Sequence, residues 1–353
     1  MPTLALPGGT SPSLGRAIVA AVIAKKPASP WNVVILSRSS RIPTWLQAID
    51  PQSTHTTIRT VDYLSVESLA AALHDVHAVI SVTSAIDGTQ AEIQINLLHA
   101  ALRAGCKRFA PSQWGFGPKG WENVPTLRWG SQGIWNECTK HKCEIECANF
   151  NHGSFMNYLG HGIYPSPPKS ESDEATTLIQ LRKGEGYMPG VDEACQGLQR
   201  QGPLADRPGA FLIGLKNGIA ELPIKDDGQW PRITMTSLRD VGRWVTASLD
   251  LPEWEESMSM AGDTLTMGEL LAHAEAITKK KFKVIVVKQE DIEKRLAGLA
   301  QDDFMGQMWA EFNLAYIRDI EDEVVLRPVL NDMCPEVKPM GVREYMEKFW
   351  NIE

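Results

Sequence analysis

Through the first 150 residues, short unbroken apolar runs alternate with stretches whose apolar positions recur at helical spacing. Leu4 to Leu6, Asn32 to Leu36 (NVVIL), Ala78 to Val82 (AVISV) and Cys106 to Ala110 have the character of parallel strands buried on both faces. His55 to Val61 is a more polar third strand, and Glu144 to Phe150 reads as a sixth. Between them, the Ala/Ile/Val-rich stretch from Arg16 to Ala24 reads as a helix. So does VESLAAALHD, with Ser65 as its N-cap. Gln90 to Ala104 places Ile93, Leu97, Leu98, Ala101 and Leu102 on one face and stops at Gly105, a C′ glycine. A further helix is predicted from about Leu127 to Lys140. This alternation predicts the α/β class: a doubly wound parallel sheet (Rossmann) with right-handed crossovers and a ligand cleft beyond the carboxyl ends of its strands.

After Phe150 the alternation stops. Pro165 to Ala210 is rich in Pro, Gly, Ser and charge and reads as an extended surface excursion or lid. Order is predicted to resume at Ile233. There Thr236 or Ser237 caps a helix bearing Val241, Trp244, Val245 and Leu249. Thr266 and Glu269 form a capping box for ELLAHAEAI, and Phe282 to Val287 reads as a strand. Helices are predicted near Gln289 to Leu299, Phe304 to Ile317 and Val342 to Trp350. The expected organisation is a nucleotide-binding domain over 1–160. A smaller mixed α/β substrate-binding part covers 161–353, with a long insertion near 165–215 and some segments free to return to the first sheet.

Composition narrows the function. The 353 residues carry a net charge of −8 with no long basic run, which argues against nucleic acid and anionic membrane as partners. No apolar run approaches the roughly 20 residues of a membrane helix, and a strand starting at residue 4 leaves no room for a leader, so a cytoplasmic location is expected. Cys106, Cys138, Cys143, Cys147, Cys195 and Cys334 include no C-x-x-C pair and are read as reduced thiols, with no metal centre expected.

The candidate chemistry begins at Pro7 to Gly15. Gly8 or Gly9 serves as the first glycine of a dinucleotide-binding turn and Gly15 as the last. Thr10 and Leu14 complete the turn, with Ser11, Pro12 and Ser13 where the middle glycine usually stands. Strand before and helix after supply the context in which unpaired amides at a helix N-terminus bind a pyrophosphate. At the end of the second strand, Arg38 with Ser39 suits a 2′-phosphate, pointing to NADP(H) rather than NAD(H). Asp62 is placed either at the adenine edge or in a turn. Thr83 and Ser84 fall near the pyrophosphate and ribose.

Four blocks carry a family resemblance: PGGTSPSLGRAIV from residue 7, RFAPSQWGFGP at 108–118, NHGSFMNYL at 151–159 and TMTSLRDVGRWVTASLDLPEW at 234–254. Together they resemble the NmrA-like, isoflavone-reductase-like branch of the atypical short-chain dehydrogenases/reductases, particularly its fungal members. The resemblance implies an NADPH-dependent reductase of an aromatic or polyketide-derived metabolite, in secondary metabolism. It equally admits a nucleotide-binding sensor that regulates a protein partner, and a redox-neutral isomerase, cyclase or lyase on the same fold. It places Ser112 to Trp114 and His152 to Phe155 beside the nicotinamide.

One departure stands out. The lysine that reductases of this type carry after the PSQWG-like loop would fall at Ser131, Gln132 or Gly133. Lys140 lies about 10–12 Å further along a continuous helix. Ser112, Gln132, His152 and Tyr158 remain as groups able to hydrogen-bond a substrate oxygen. His152 is attractive because imidazole titrates near neutral pH. Trp114, Phe155, Met156, Met308 and Trp309 could line a pocket for a flat small-molecule substrate. Met305, Met308, Trp309 and Phe312 also fit plain core packing of one helix face.

Overall fold

The computed structural model describes residues 1–25, 31–131, 133–159, 212–215 and 217–350. Its first half runs β1 (Thr3–Pro7), α1 (Leu14–Lys25), β2 (Asn32–Ser37), α2 (Thr44–Ile49), β3 (Thr56–Thr60), α3 (Val66–Ala72), β4 (Ala78–Ile80), α4 (Gln90–Ala104) and β5 (Arg108–Ala110). Then follow α5 (Pro118–Asn123), α6 (Pro125–Gly130), α7 (Ile134–Lys140) and β6 (Glu146–Cys147). The six strands form one parallel sheet in the order β3-β2-β1-β4-β5-β6, the doubly wound arrangement predicted. Side chains alternate between its two faces. Leu4, Leu6, Val33, Ile35 and Ile80 enter one buried cluster with α1, while Ala5, Val34, Leu36, Val79 and Phe109 enter another with α3 and α4.

The second half comprises β7 (Ser154–Phe155), a 3₁₀ turn (Met156–Leu159), β8 (Ile213–Gly214), β9 (Ile219–Pro223), β10 (Arg232–Thr236), α8 (Leu238–Ser248), β11 (Asp263–Thr266), α9 (Met267–Thr278) and β12 (Lys283–Val287). It ends with α10 (Gln289–Gly298), α11 (Phe304–Arg318), α12 (Val329–Met333) and α13 (Val342–Trp350). Two three-stranded sheets, β11-β10-β7 and β12-β9-β8, hold it together.

Part of this half belongs to the first core. Val241, Trp244, Val245, Trp254, Met258 and Leu330 share the buried cluster of β1 and α1. A Cβ on Gly242 would collide with the Ala17 carbonyl, so α8 and α1 meet backbone to backbone, and only glycine permits that approach. The chain at 256–260 then runs beside 149–151, with Met258 N donating to Asn149 O at 2.8 Å and Met260 N to Asn151 O at 2.8 Å. The sheet edge is thereby extended beyond β6.

Several predicted elements differ. The helix expected from about Leu127 to Lys140 is divided. Pro125 starts α6 at its first helical position, and Gly133, at φ +82°, separates α6 from α7. The strand predicted over Glu144–Phe150 pairs with β5 only at Glu146 and Cys147, while Asn149 bridges to Ser257 on its other side. Helix α2 was not anticipated, and order resumes before Ile233, at β8 and β9. The predicted caps hold: Ser65 Oγ accepts from Ser68 N, Ser237 (not Thr236) caps α8, and Thr266 with Glu269 completes a capping box. The excursion predicted over Pro165–Ala210 lies outside the described residues. Among the described residues no helix is long and apolar enough to cross a membrane.

Candidate functional site

The turn between β1 and α1 is held from three sides. Gly8 has φ +77°, and its N–H donates to Leu36 O at 3.1 Å and to the Tyr63 hydroxyl at 2.9 Å. That hydroxyl donates in turn to Leu36 O at 2.7 Å. Burial pushes the Tyr63 phenol up to about 12, so it stays a neutral tether. A Cβ on Gly8 would lie 2.9 Å from Thr83 N, and one on Gly15 would lie 2.5 Å from Gly9 O. The glycines thus let β1, α1 and the loop after β4 close on one another. Gly9 N donates to Leu6 O, Ser11 N to Gly8 O and Arg16 N to Ser11 O. Ser11 and Ser13 share a 2.7 Å hydroxyl contact where the middle glycine usually stands. Pro12 offers no amide. Among the described residues, the N–H groups of Thr10, Leu14 and Gly15 have no protein acceptor. They sit at the positive end of the α1 dipole.

Arg38 extends from the end of β2 and is exposed. The loop carrying it is folded by its serines, with Ser39 N donating to Ser37 Oγ and Arg41 N to Ser39 Oγ, both at 3.2 Å. Asp62 Oδ1 accepts from Leu64 N at 2.9 Å, the contact of a turn residue. Ser84 is exposed, whereas Thr83 is enclosed by polar partners. Its Oγ1 accepts from Gln94 Nε2 at 2.6 Å, and its carbonyl accepts from Gln90 Nε2 at 3.1 Å and Ser112 Oγ at 2.7 Å. Sequence reasoning missed Gln90 and Gln94. A glutamine beside Ile93 on the apolar face of α4 was the available signal.

At the other end of the cleft, Trp114 donates through Nε1 to Ser81 O at 2.8 Å and stacks on Phe150 (5.8 Å) and His152 (6.2 Å). The His152 ring lies 4.0 Å from that of Phe155. Asn151 Nδ2 donates to the carbonyls of Gln113 and Phe116, while His152 N and Gly153 N donate to Gly115 O. Ser112–Trp114 and His152–Phe155, expected to flank the nicotinamide, are therefore brought together.

The expected chemistry of these loops changes on inspection. His152 is 2 % exposed, neither ring nitrogen has a protein partner, and burial lowers its pKa to about 3. It is a neutral imidazole, not a group titrating near pH 7. The Ser112 hydroxyl proton is committed to Thr83 O. Tyr158 is half-buried with its ring 6.3 Å from that of Phe155. Gln132 lies outside the described residues. Neither nearby lysine takes the missing place: Lys119 Nζ donates to Glu321 O, and Lys140 Nζ pairs with Glu137 on α7.

The proposed pocket residues divide. Met156 is fully buried among core residues of the second half, in the 3₁₀ turn beneath Gly262. Trp114 and Phe155 belong to the stack just described. On α11, Ala315 and Tyr316 enter the core, while Met308 and Trp309 remain half-buried. Phe312 packs on Phe116 at 4.6 Å and on Trp309 at 5.9 Å, and Phe304 approaches Trp129 at 6.4 Å. Thr126 donates through N and Oγ1 to Glu311 Oε2, fastening α6 to α11. A Cβ on Gly88, in the loop after β4, would touch the Trp129 ring at 3.7 Å. The aromatic faces of α6 and α11 thus lie beside the loop that follows β4.

Residues 3–131 match the profile of the NmrA-like family. Oxidoreductase BOA1 of Botryotinia fuckeliana is 26% identical over 287 residues, covering 80% of this chain and 78% of its own. The structure of AtPrR2 with NADP+ and (+)-pinoresinol superposes with a TM-score of 0.68 at 18% identity, covering 99% of this chain and 98% of that one. Isoflavone reductase gives 0.67 at 17% identity, covering 98% and 99%. Residues 3–131 are therefore similar to the NmrA-like family, within a chain that has the fold of isoflavone reductase.

Proposed function

We propose that the protein is an NADP(H)-dependent reductase of a small aromatic or polyketide-derived compound, acting in the cytoplasm. The observation that carries this reading is the set of unpartnered amides at Thr10, Leu14 and Gly15, at the carboxyl end of the sheet that also presents the exposed Arg38. The donors suit the group. The amides and the α1 dipole would hold the pyrophosphate, and the Arg38 guanidinium, with Ser39, would hold the 2′-phosphate. Bound there, the reduced cofactor supplies a hydride. The chain's own part is to exclude water and orient the substrate. The Trp114–His152–Phe155 stack supplies one wall, and the aromatic residues of α6 and α11 supply the other. The neutral His152, whose ring nitrogens have no protein partner, is the candidate to hydrogen-bond a substrate oxygen. Support also comes from the relative named oxidoreductase and from the neighbour determined with NADP+ and (+)-pinoresinol.

A second reading, a nucleotide-binding regulatory protein without turnover, rests on Lys119 and Lys140 being engaged elsewhere and on Ser112 donating to Thr83 O. Calorimetry with NADPH and NADH, followed by NADPH oxidation against a panel of aromatic ketones and quinones, separates the two. Tight NADPH binding with oxidation supports the reductase. Binding without oxidation across the panel favours the regulator, and failure to bind either nucleotide overturns both.

A further inference from the structure

Helices α4 and α7 pack on the face of the sheet opposite α1 and α8. Where they meet, His99, Glu137 and His141 bring one nitrogen or carboxylate oxygen each to within 4.8 Å of one another. His99 Nε2 lies 3.1 Å from Glu137 Oε1, and His141 Nε2 lies 3.7 Å from the same oxygen. Glu137 and His141 are four residues apart, which puts both on one face at the end of α7, while His99 reaches across from α4.

Two further contacts prepare these atoms. Glu144 Oε1 sits 2.7 Å from His141 Nδ1, and a carboxylate can only accept, so Nδ1 carries the proton and Nε2 keeps its lone pair. This carboxylate–histidine pairing is the arrangement that orients imidazole ligands in metal centres. Lys140 Nζ occupies Glu137 Oε2 at 2.6 Å, leaving Oε1 to the cluster.

We propose that His99 Nε2, Glu137 Oε1 and His141 Nε2 form a binding site for a Zn²⁺-class cation, with water in the fourth position. Two imidazoles and one carboxylate suit zinc and not magnesium or calcium, which take oxygen ligands. Metal–ligand bonds of about 2.0–2.1 Å place tetrahedral donors roughly 3.3 Å apart, and the two measured separations bracket that spacing. In the metal-free protein His99 Nε2–H donates to Glu137. A bound cation replaces that proton, which leaves to water. The Lys140 ammonium is the one opposing charge among these contacts, and at 68% side-chain exposure it is free to swing into solvent. The cation would staple α7 to α4, fixing the far end of the chain that leaves loop 112–117.

The test is calorimetric titration of the untagged full-length protein with Zn²⁺ and, separately, Mg²⁺. One saturable Zn²⁺ per chain and no Mg²⁺ binding is the expected result. His99→Gln and His141→Gln should each weaken Zn²⁺ by ~100-fold or more, and Glu144→Gln by ~10-fold. Cys143→Ser, which removes an exposed thiol nearby in sequence, should leave affinity unchanged. Co²⁺ should give the visible absorption of a four-coordinate site, lost in His141→Gln even if that variant retains the parent's melting temperature. No saturable Zn²⁺ binding by the parent protein, or histidine variants within ~3-fold of it, overturns the proposal.

Discussion

The two ends of the cleft are built by opposite means. At the end proposed for the phosphates, the binding groups are backbone. Gly8 at positive φ and Gly15 against Gly9 O leave three amides without acceptors, and an exposed guanidinium stands across from them. At the end proposed for the nicotinamide, polar groups are turned inward. Ser112 donates to Thr83 O, Trp114 to Ser81 O and Asn151 to two carbonyls of the neighbouring loop, leaving a stack of rings around a neutral histidine. One end is preorganised to hold a charged ligand. The other is preorganised as a wall. The contrast explains why the nucleotide is so much easier to infer here than the proton donor.

The contrast can be broken first at the phosphate end. Gly15→Val should cost NADPH about 100-fold or more in affinity by calorimetry, because even a Cβ would press on Gly9 O. Affinity within threefold of the parent, in a folded variant, would remove the backbone from the account. Arg38→Ala should weaken NADPH by about 10- to 100-fold and leave NADH unchanged. An equal loss for both nucleotides would move the 2′-phosphate elsewhere.

At the other end, the His152 pKa of about 3 lies below its ordinary value of 6.5. As pH falls through about 6.5 the unfolded chain takes up a proton that the folded chain refuses until about 3, so stability declines across that window. His152→Phe should flatten the decline, by up to ~1.4 kcal/mol per pH unit, in denaturant titrations at successive pH values. An unchanged slope would show that the imidazole is not held neutral. The smallest effect belongs to Tyr63→Phe, which removes one tether of Gly8. A loss of about 1 kcal/mol of stability is expected, seen as a lower denaturation midpoint. No change would mean that Leu36 O alone fixes the turn.

How much was legible follows from the same division. Strands β1 to β5, the ends of α4 and the caps at Ser65, Ser237 and Thr266 are written in local pattern, and each was anticipated. The interruption between α6 and α7 was not, since apolar periodicity runs on through a break made by backbone at Gly133. Helix α2 is only six residues long and has just two buried side chains, so its pattern is faint. Burial of His152 and Met156 depends on β10 and residues around 262, far along the chain. The partnership of Gln94 with Thr83, and of His99 with Glu137, likewise arises only when distant segments meet. Sequence periodicity reports an element's own face, and says little about what arrives opposite it.

The bare contact at Gly242 has a practical consequence. Because α8 rests on α1 with no side chain between them, the wall behind the opening turn is furnished by residues more than two hundred positions downstream. Excising the first sheet near residue 160, or grafting a sister protein's second half at that seam, would strip this backing away. A productive chimera must carry 238–260 along with the first sheet.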